Sequence, residues 1–242
     1  MKIVVFQAQP QYAGTVIAGT LFNHIQRGDE VTVVSISDGE RLTELEPEEK
    51  VAQINREEMQ AAAQVLGIKD LRFLGHPDVE AQNTLALRLE LNNILREVRP
   101  GVMITHWPND TFPDFREVGQ AAVDACFYSV LHTGKWAEKG PPFLTGRAYG
   151  FHYPGLSVGF EATDIIDISD VLDTKIKAID CFKLHIRASH KGNLEEYHSF
   201  NLSPNRAWAF ESGFWMGVQF AEPFAMLKIQ EVHNRAKKYL AS

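Results

Sequence analysis

The sequence predicts an α/β chain with a Rossmann-like, three-layer fold and a mostly parallel sheet. Three observations lead there. Short apolar, β-branched runs ("KIVVFQA", "EVTVVSIS", "LRFLG", "GVMITHW") alternate with segments whose apolar residues recur every three or four positions. Gly28, Gly67 and Pro100 stand where those helical segments should stop. Repeated strand–helix units in one sheet require right-handed crossovers, which put helices on both faces.

The first run enters the polar turn of "AQPQYAGT" and then a helix over "TVIAGTLFNHIQRG". The second and third runs are joined by a helix in "EEKVAQINREEMQAAAQVLG", and the third and fourth by one in "TLALRLELNNILREVRP". A further helix is expected from about Pro113 to Leu131. Residues 132–162 are rich in glycine, proline and aromatics and contain "RAYGFHY", a candidate strand. "EATDIIDIS" reads as another strand. It precedes a helix over "DVLDTKIKAIDCFKLHIRAS" that opens on Ser169 or Asp170 as a cap. The tail reads as helical around "RAWAFESGFWMGVQFAEPFAML" and again in the basic "IQEVHNRAKKYL". Ligands of such sheets bind beyond the carboxyl ends of the strands, where loops 8–14, 37–48, 75–82 and 105–115 should meet.

A chain of 242 residues, 45% hydrophobic and 23% charged, suits one large domain, 1–242, without a linker or internal repeat. The formal charge of -7 and the lack of a basic run argue against nucleic acid or an anionic membrane surface as partner. Cys126 and Cys181 form no C-x-x-C, so neither a disulfide framework nor a thiolate metal site is expected. The start "MKIVVFQAQPQ" turns polar too soon for a signal peptide, and no run has the length of a membrane span. The expectation is a cytoplasmic protein whose partner is a small molecule. The aromatic "FESGFWMGVQF" leaves a homo-oligomer open.

"AQPQYAGTVIAGTL", "VTVVSISDGE", "NREEMQAAAQVLGI", "THWPNDTFPDFREVGQAAVDA", "DISDVLDTKIKAI" and "GVQFAEPF", taken in order, resemble the PIG-L/LmbE family of zinc-dependent de-N-acetylases. In that family the first loop reads A-H-P-D-D-E and the fourth-strand loop ends in H-P-D-H. Zinc takes imidazole and carboxylate ligands, leaves a position for water, and a nearby carboxylate removes the water's proton. The resemblance places the family's first ligand histidine on Gln9, its general-base aspartate on Gln11 and its ligand aspartate on Tyr12. The following glutamate falls on Ala13, the acid histidine on Phe112 and the last ligand histidine on Phe115. Pro10, Pro113, Asp114 and Arg116 keep the frame. Amide, phenol and phenyl groups are poor ligands or none, so no metal or other cofactor is expected.

His106, with Asp110 or Asp114, is the candidate for acid–base chemistry, although acids beside a helix start also commonly order the turn. Gln9, Gln11, Tyr12, Asp38, Arg56, Trp107, Phe112, Phe115 and Arg116 are candidates for contact with substrate. Asp38 also belongs to an Asp-Gly turn signal, and Arg56 to a charged helix face. "GHPDVE", with His76, Pro77 and Asp78, imitates the missing first-loop motif but follows the third strand. His152, His185, His190 and His198 are scattered and read as structure. Aromatic rings at the mouth would favour flat or apolar ligand parts, or they would fill the space left by metal and water. The leading reading is a family member that has lost zinc and amide hydrolysis but keeps a cleft for a sugar or acylated amine. The alternatives are a metal-free acid–base enzyme using His106, a scaffold with a filled cleft, and a zinc deacetylase with a relocated site.

Overall fold

The structure, a computed structural model, describes residues 1–153, 157–189 and 204–229. Seven strands form one sheet: β1 (Lys2–Gln7), β2 (Glu30–Ser37), β3 (Asp70–His76), β4 (Val102–His106), β5 (Arg147–Phe151), β6 (Asp164–Asp167) and β7 (Ala221–Met226). Their spatial order is β3-β2-β1-β4-β5-β7-β6. The first five are mutually parallel, whereas β7 runs antiparallel to both β5 and β6. The chain therefore leaves β1 for β2 on one side and returns to β4 on the other, which makes the crevice above β1 and β4 the switch point where such sheets bind ligands.

Helices α1 (Gln11–Thr15), α2 (Ala18–Gln26), α3 (Glu48–Leu66), α4 (Leu85–Val98), α5 (Pro113–Tyr128), α6 (Leu172–Ile179), α7 (Lys183–Ser189) and α8 (Pro204–Met216) complete the architecture. The central strands are apolar on both faces and vanish from solvent: Ile3, Val4, Val5, Phe6, Val33 and Val34 are fully buried. That is how a parallel strand covered by helices on two sides should read.

Three expectations from the sequence change. The first helix is divided, because the Glu222 carboxylate on β7 accepts hydrogen bonds from the Gly19 and Thr20 amides (3.0 and 2.7 Å) and opens a new helix there. Gln11 and Tyr12 thus lie on a short helix rather than in a loop. The helix expected through "DVLDTKIKAIDCFKLHIRAS" is also divided, after Ile179, and Ser169 is not its cap. Its amide and hydroxyl instead donate to Asp167 Oδ1. The helix expected across the tail ends at Met216, where Gly217 takes a φ of +71° that few other residues accept. Residues 221–226 then enter the sheet between β5 and β6. The basic segment after Ile229, with His190 and His198, lies outside the described residues.

Candidate functional site

At the switch point the side chain of Gln7, the last residue of β1, staples the first loop: its Nε2 donates to Pro10 O (2.9 Å) and its Oε1 accepts from the Ala13 amide (2.6 Å). Ser37 closes the same turn from β2 by donating to Ala8 O (2.9 Å). The four loops expected to meet do meet. A residue of the loop after β3 forms the hub. Asp78 is fully buried, and its Oδ1 accepts from Gln9 Nε2 (2.5 Å) and lies 3.1 Å from Ser37 Oγ. Its Oδ2 accepts from the Arg41 amide at 3.3 Å. Gln11 Nε2 then donates to Gln9 Oε1 (3.2 Å), so both polar atoms of the Gln9 amide are engaged inside the protein. A buried carboxylate with several donors is held without a cation.

Asp114 stands against this hub. Burial, and after it the negative charge of Asp78, raises its pKa to about 6, opposed by hydrogen bonds from the Val79 and Ala81 amides. Its Oδ2 has no hydrogen-bond partner among the described residues. Val79 carries a φ of +55°, a conformation costly for a β-branched residue, and its amide thereby reaches Asp114.

An aromatic layer covers the other side. His106 is 1% exposed and lies parallel to Phe115 at 4.3 Å between ring centres, with Phe151 at 4.5 Å and Tyr12 edge-on at 5.3 Å. Its Nε2 accepts from the Ala8 amide (3.0 Å), so the proton of the neutral ring sits on Nδ1, which has no hydrogen-bond partner among the described residues. Burial pushes its pKa down to about 3. A ring so fixed holds the first loop to β4 and stays neutral at neutral pH. Helix α5 comes this close because position 119 is glycine; a Cβ there would lie 2.5 Å from His106 O. Tyr12 also packs on Phe115 (4.6 Å), and burial drives its phenol far above the usual value of 10. Phe112 leans on Phe115 at 4.6 Å.

The remaining candidates are tied to the backbone or to each other. Asp110 accepts from the Phe112 amide (2.9 Å) and Ser157 Oγ (2.8 Å); burial raises its pKa. Arg116 donates to Asp110 O at 3.3 Å. Trp107 Nε1 donates to Val158 O at 2.9 Å. Arg56 clamps Asp38 through two bonds, Nε to Oδ1 at 2.8 Å and Nη2 to Oδ2 at 2.5 Å, with its guanidinium over Phe73. The structure brings Gln9, Gln11, Tyr12, His106, Phe112, Phe115 and Asp114 together with Asp78. It leaves Asp38 and Arg56 paired to one side and Trp107 directed at residues 158–160.

Open space lies next door. Tyr12 meets Tyr153 (6.1 Å), which meets Trp208 of α8 (4.7 Å), and beyond Trp208 is a cavity of about 400 Å³. Phe160, Trp208, Trp215 and His152 supply its aromatic wall. At its floor Lys175 and Glu222, each 2% exposed, form an ion pair of 2.6 Å, and Lys175 also donates to Val16 O (2.7 Å). No single stretch of sequence advertises this cavity, because its walls come from the α1–α2 junction, the segment after β5 with β6, α6, α8 and β7.

Comparison with known proteins agrees with this geometry. Residues 13–126 match the family model described as PIG-L, GlcNAc-PI de-N-acetylase. A diacetylchitobiose deacetylase of Thermococcus kodakarensis is 26% identical over 186 residues, 74% of this chain and 67% of that protein. A probable N-acetyl-alpha-D-glucosaminyl L-malate deacetylase 2 of Bacillus anthracis is 30% identical over 147 residues, 53% of this chain and 65% of that protein. The chain thus spans about two thirds of the length of both relatives. Among solved structures, the inhibitor-bound N,N'-diacetylchitobiose deacetylase of Pyrococcus horikoshii superposes with a TM-score of 0.80 at 23% identity, covering 95% of this chain and 84% of that one. The 4-carboxy-2-hydroxymuconate hydratase GalB of Pseudomonas putida KT2440 gives 0.77 at 20% identity, covering 93% and 95%. Together these matches liken the chain to the PIG-L/LmbE-like de-N-acetylases, and the sheet order agrees with the fold of the solved structures among them.

Proposed function

We propose that this chain is a PIG-L/LmbE-family homologue that recognises a small molecule without zinc-dependent amide hydrolysis. One observation carries the reading: the groups at the three positions where the family pattern has zinc ligands are committed elsewhere. Gln9 spends its amide on Asp78 and Gln11, Tyr12 keeps its proton far beyond neutral pH, and Phe115 has no donor atom and stacks on His106. To bind zinc, Gln9 would have to leave a buried carboxylate partly unpaired, and a carbonyl oxygen would return little coordination energy. The residues present do not fit the metal. The ligand site in this reading is the cavity beside Trp208, apolar with a few polar groups, as small-molecule sites are.

A metal-free enzyme using His106 is less well supported, since that ring is enclosed and accepts a backbone hydrogen bond at the nitrogen a substrate would need. Asp110 is likewise engaged by an amide and a hydroxyl. The test is direct. Purified chain is equilibrated with zinc, passed through a weak chelator, and assayed for bound metal and for acetate released from N-acetylated sugars. The proposal expects far less than one zinc per chain and no release above background; stoichiometric zinc with chelator-sensitive release would overturn it.

A further inference from the structure

The chemistry of the cavity walls selects among small molecules, and we infer that the cavity takes a ligand carrying an ammonium group. The inference rests on the small-molecule reading above and adds the charge of the ligand. Trp208, Trp215 and Phe160 line the cavity, with the His152 ring stacked on Phe160 at 3.9 Å. Aromatic faces carry negative electrostatic potential and attract organic cations, most strongly where water is thin. His152 adds a ring and no opposing charge, since burial lowers its pKa to about 4 and keeps it neutral.

Among the described residues, the acids and bases that line the space leave one net negative charge. Glu222 and Lys175 cancel at the floor. Glu211, which also lines the cavity, has no ion-pair partner among the described residues. Arg206, the basic residue of the same helix, sits instead over the Phe220 ring at 5.7 Å. An ammonium group between Glu211 and the tryptophans would gain the carboxylate and the rings at once, whereas a carboxylate or phosphate ligand would meet Glu211 unfavourably.

A shape-matched pair isolates charge: choline and its neutral isostere 3,3-dimethyl-1-butanol, titrated calorimetrically into the full chain, with N-acetylglucosamine as an unrelated neutral probe. Choline is expected to bind about fivefold tighter than the isostere, an advantage of the size that cation–aromatic contacts at an exposed site supply. The preference should shrink severalfold in Glu211→Gln, and choline affinity should fall in Trp215→Ala. Both positions are solvent-exposed, Trp215 at 75%, so neither change threatens folding. Equal affinity for choline and the isostere, or binding of N-acetylglucosamine alone, would refute the cation while leaving small-molecule recognition intact. Binding of none of the three would refute both.

Discussion

Replacing Asp114 by asparagine should change how stability depends on pH more than it changes stability itself. The folded-state pKa of Asp114 is about 6 against an ordinary aspartate value of 3.8, because burial and the neighbouring Asp78 disfavour its charge. A group whose pKa is raised by folding favours the folded state while it is protonated. That contribution is complete below about pH 4 and is lost as pH rises through about 6. The difference between the two values corresponds to about 3 kcal/mol. Asparagine cannot ionise and keeps an oxygen for the Val79 and Ala81 amides, so any cost of the exchange is nearly independent of pH. Urea unfolding of both proteins at about pH 4 and about pH 8 reads the effect as a difference of differences. The variant should gain on the native chain by about 2–3 kcal/mol between the two conditions. A flat difference, or a native chain that gains as pH rises, would refute the argument that Asp114 is an uncompensated buried carboxyl.

Three further outcomes follow from the packing. Glu222→Gln should cost about 3–5 kcal/mol in urea melts, because it leaves a buried ammonium without its counter-charge; Lys175→Met should cost less, since Gly19 and Thr20 still hold the Glu222 carboxylate. Equal losses would contradict the role given to the α2 amides. Gly119→Ala should destabilise by about 1–3 kcal/mol, because the backbone oxygen of His106 cannot move aside; an unchanged melting temperature would remove the close approach from the account. The His106 ring signals in NMR should not shift between about pH 5 and pH 8, the range in which an unperturbed histidine titrates. A midpoint near neutrality would restore it as an acid–base candidate.

The central strands were legible because burial on both faces leaves an unbroken apolar run in the sequence, as in "KIVVF" and "VTVVSIS". β7 was not. Pro223 argues against a strand and the preceding tryptophans and phenylalanines recur at helical spacing, yet Glu222 is needed in that strand to start α2 and to pair with Lys175. The loops that converge at the switch point could be named from topology, and the unusual residues in them from the family pattern. What those residues do there could not. The partner of Gln9 is Asp78, 69 positions away, and the burial that pins His106 is assembled from α1, α5 and β5. The cavity depends on five separate segments, so its aromatic and acidic character appears only once they are folded together.

The central claim is that the loops at the end of β1 and the start of α5 form a hydrogen-bonded and aromatic core rather than a metal site. Crystals equilibrated with excess zinc and measured on both sides of the zinc absorption edge test it most directly. The account predicts no anomalous peak between Gln9, Tyr12 and Phe115, with the Gln9 amide still on Asp78. A strong peak at that position, with Gln9 or Asp78 turned toward it, would contradict it.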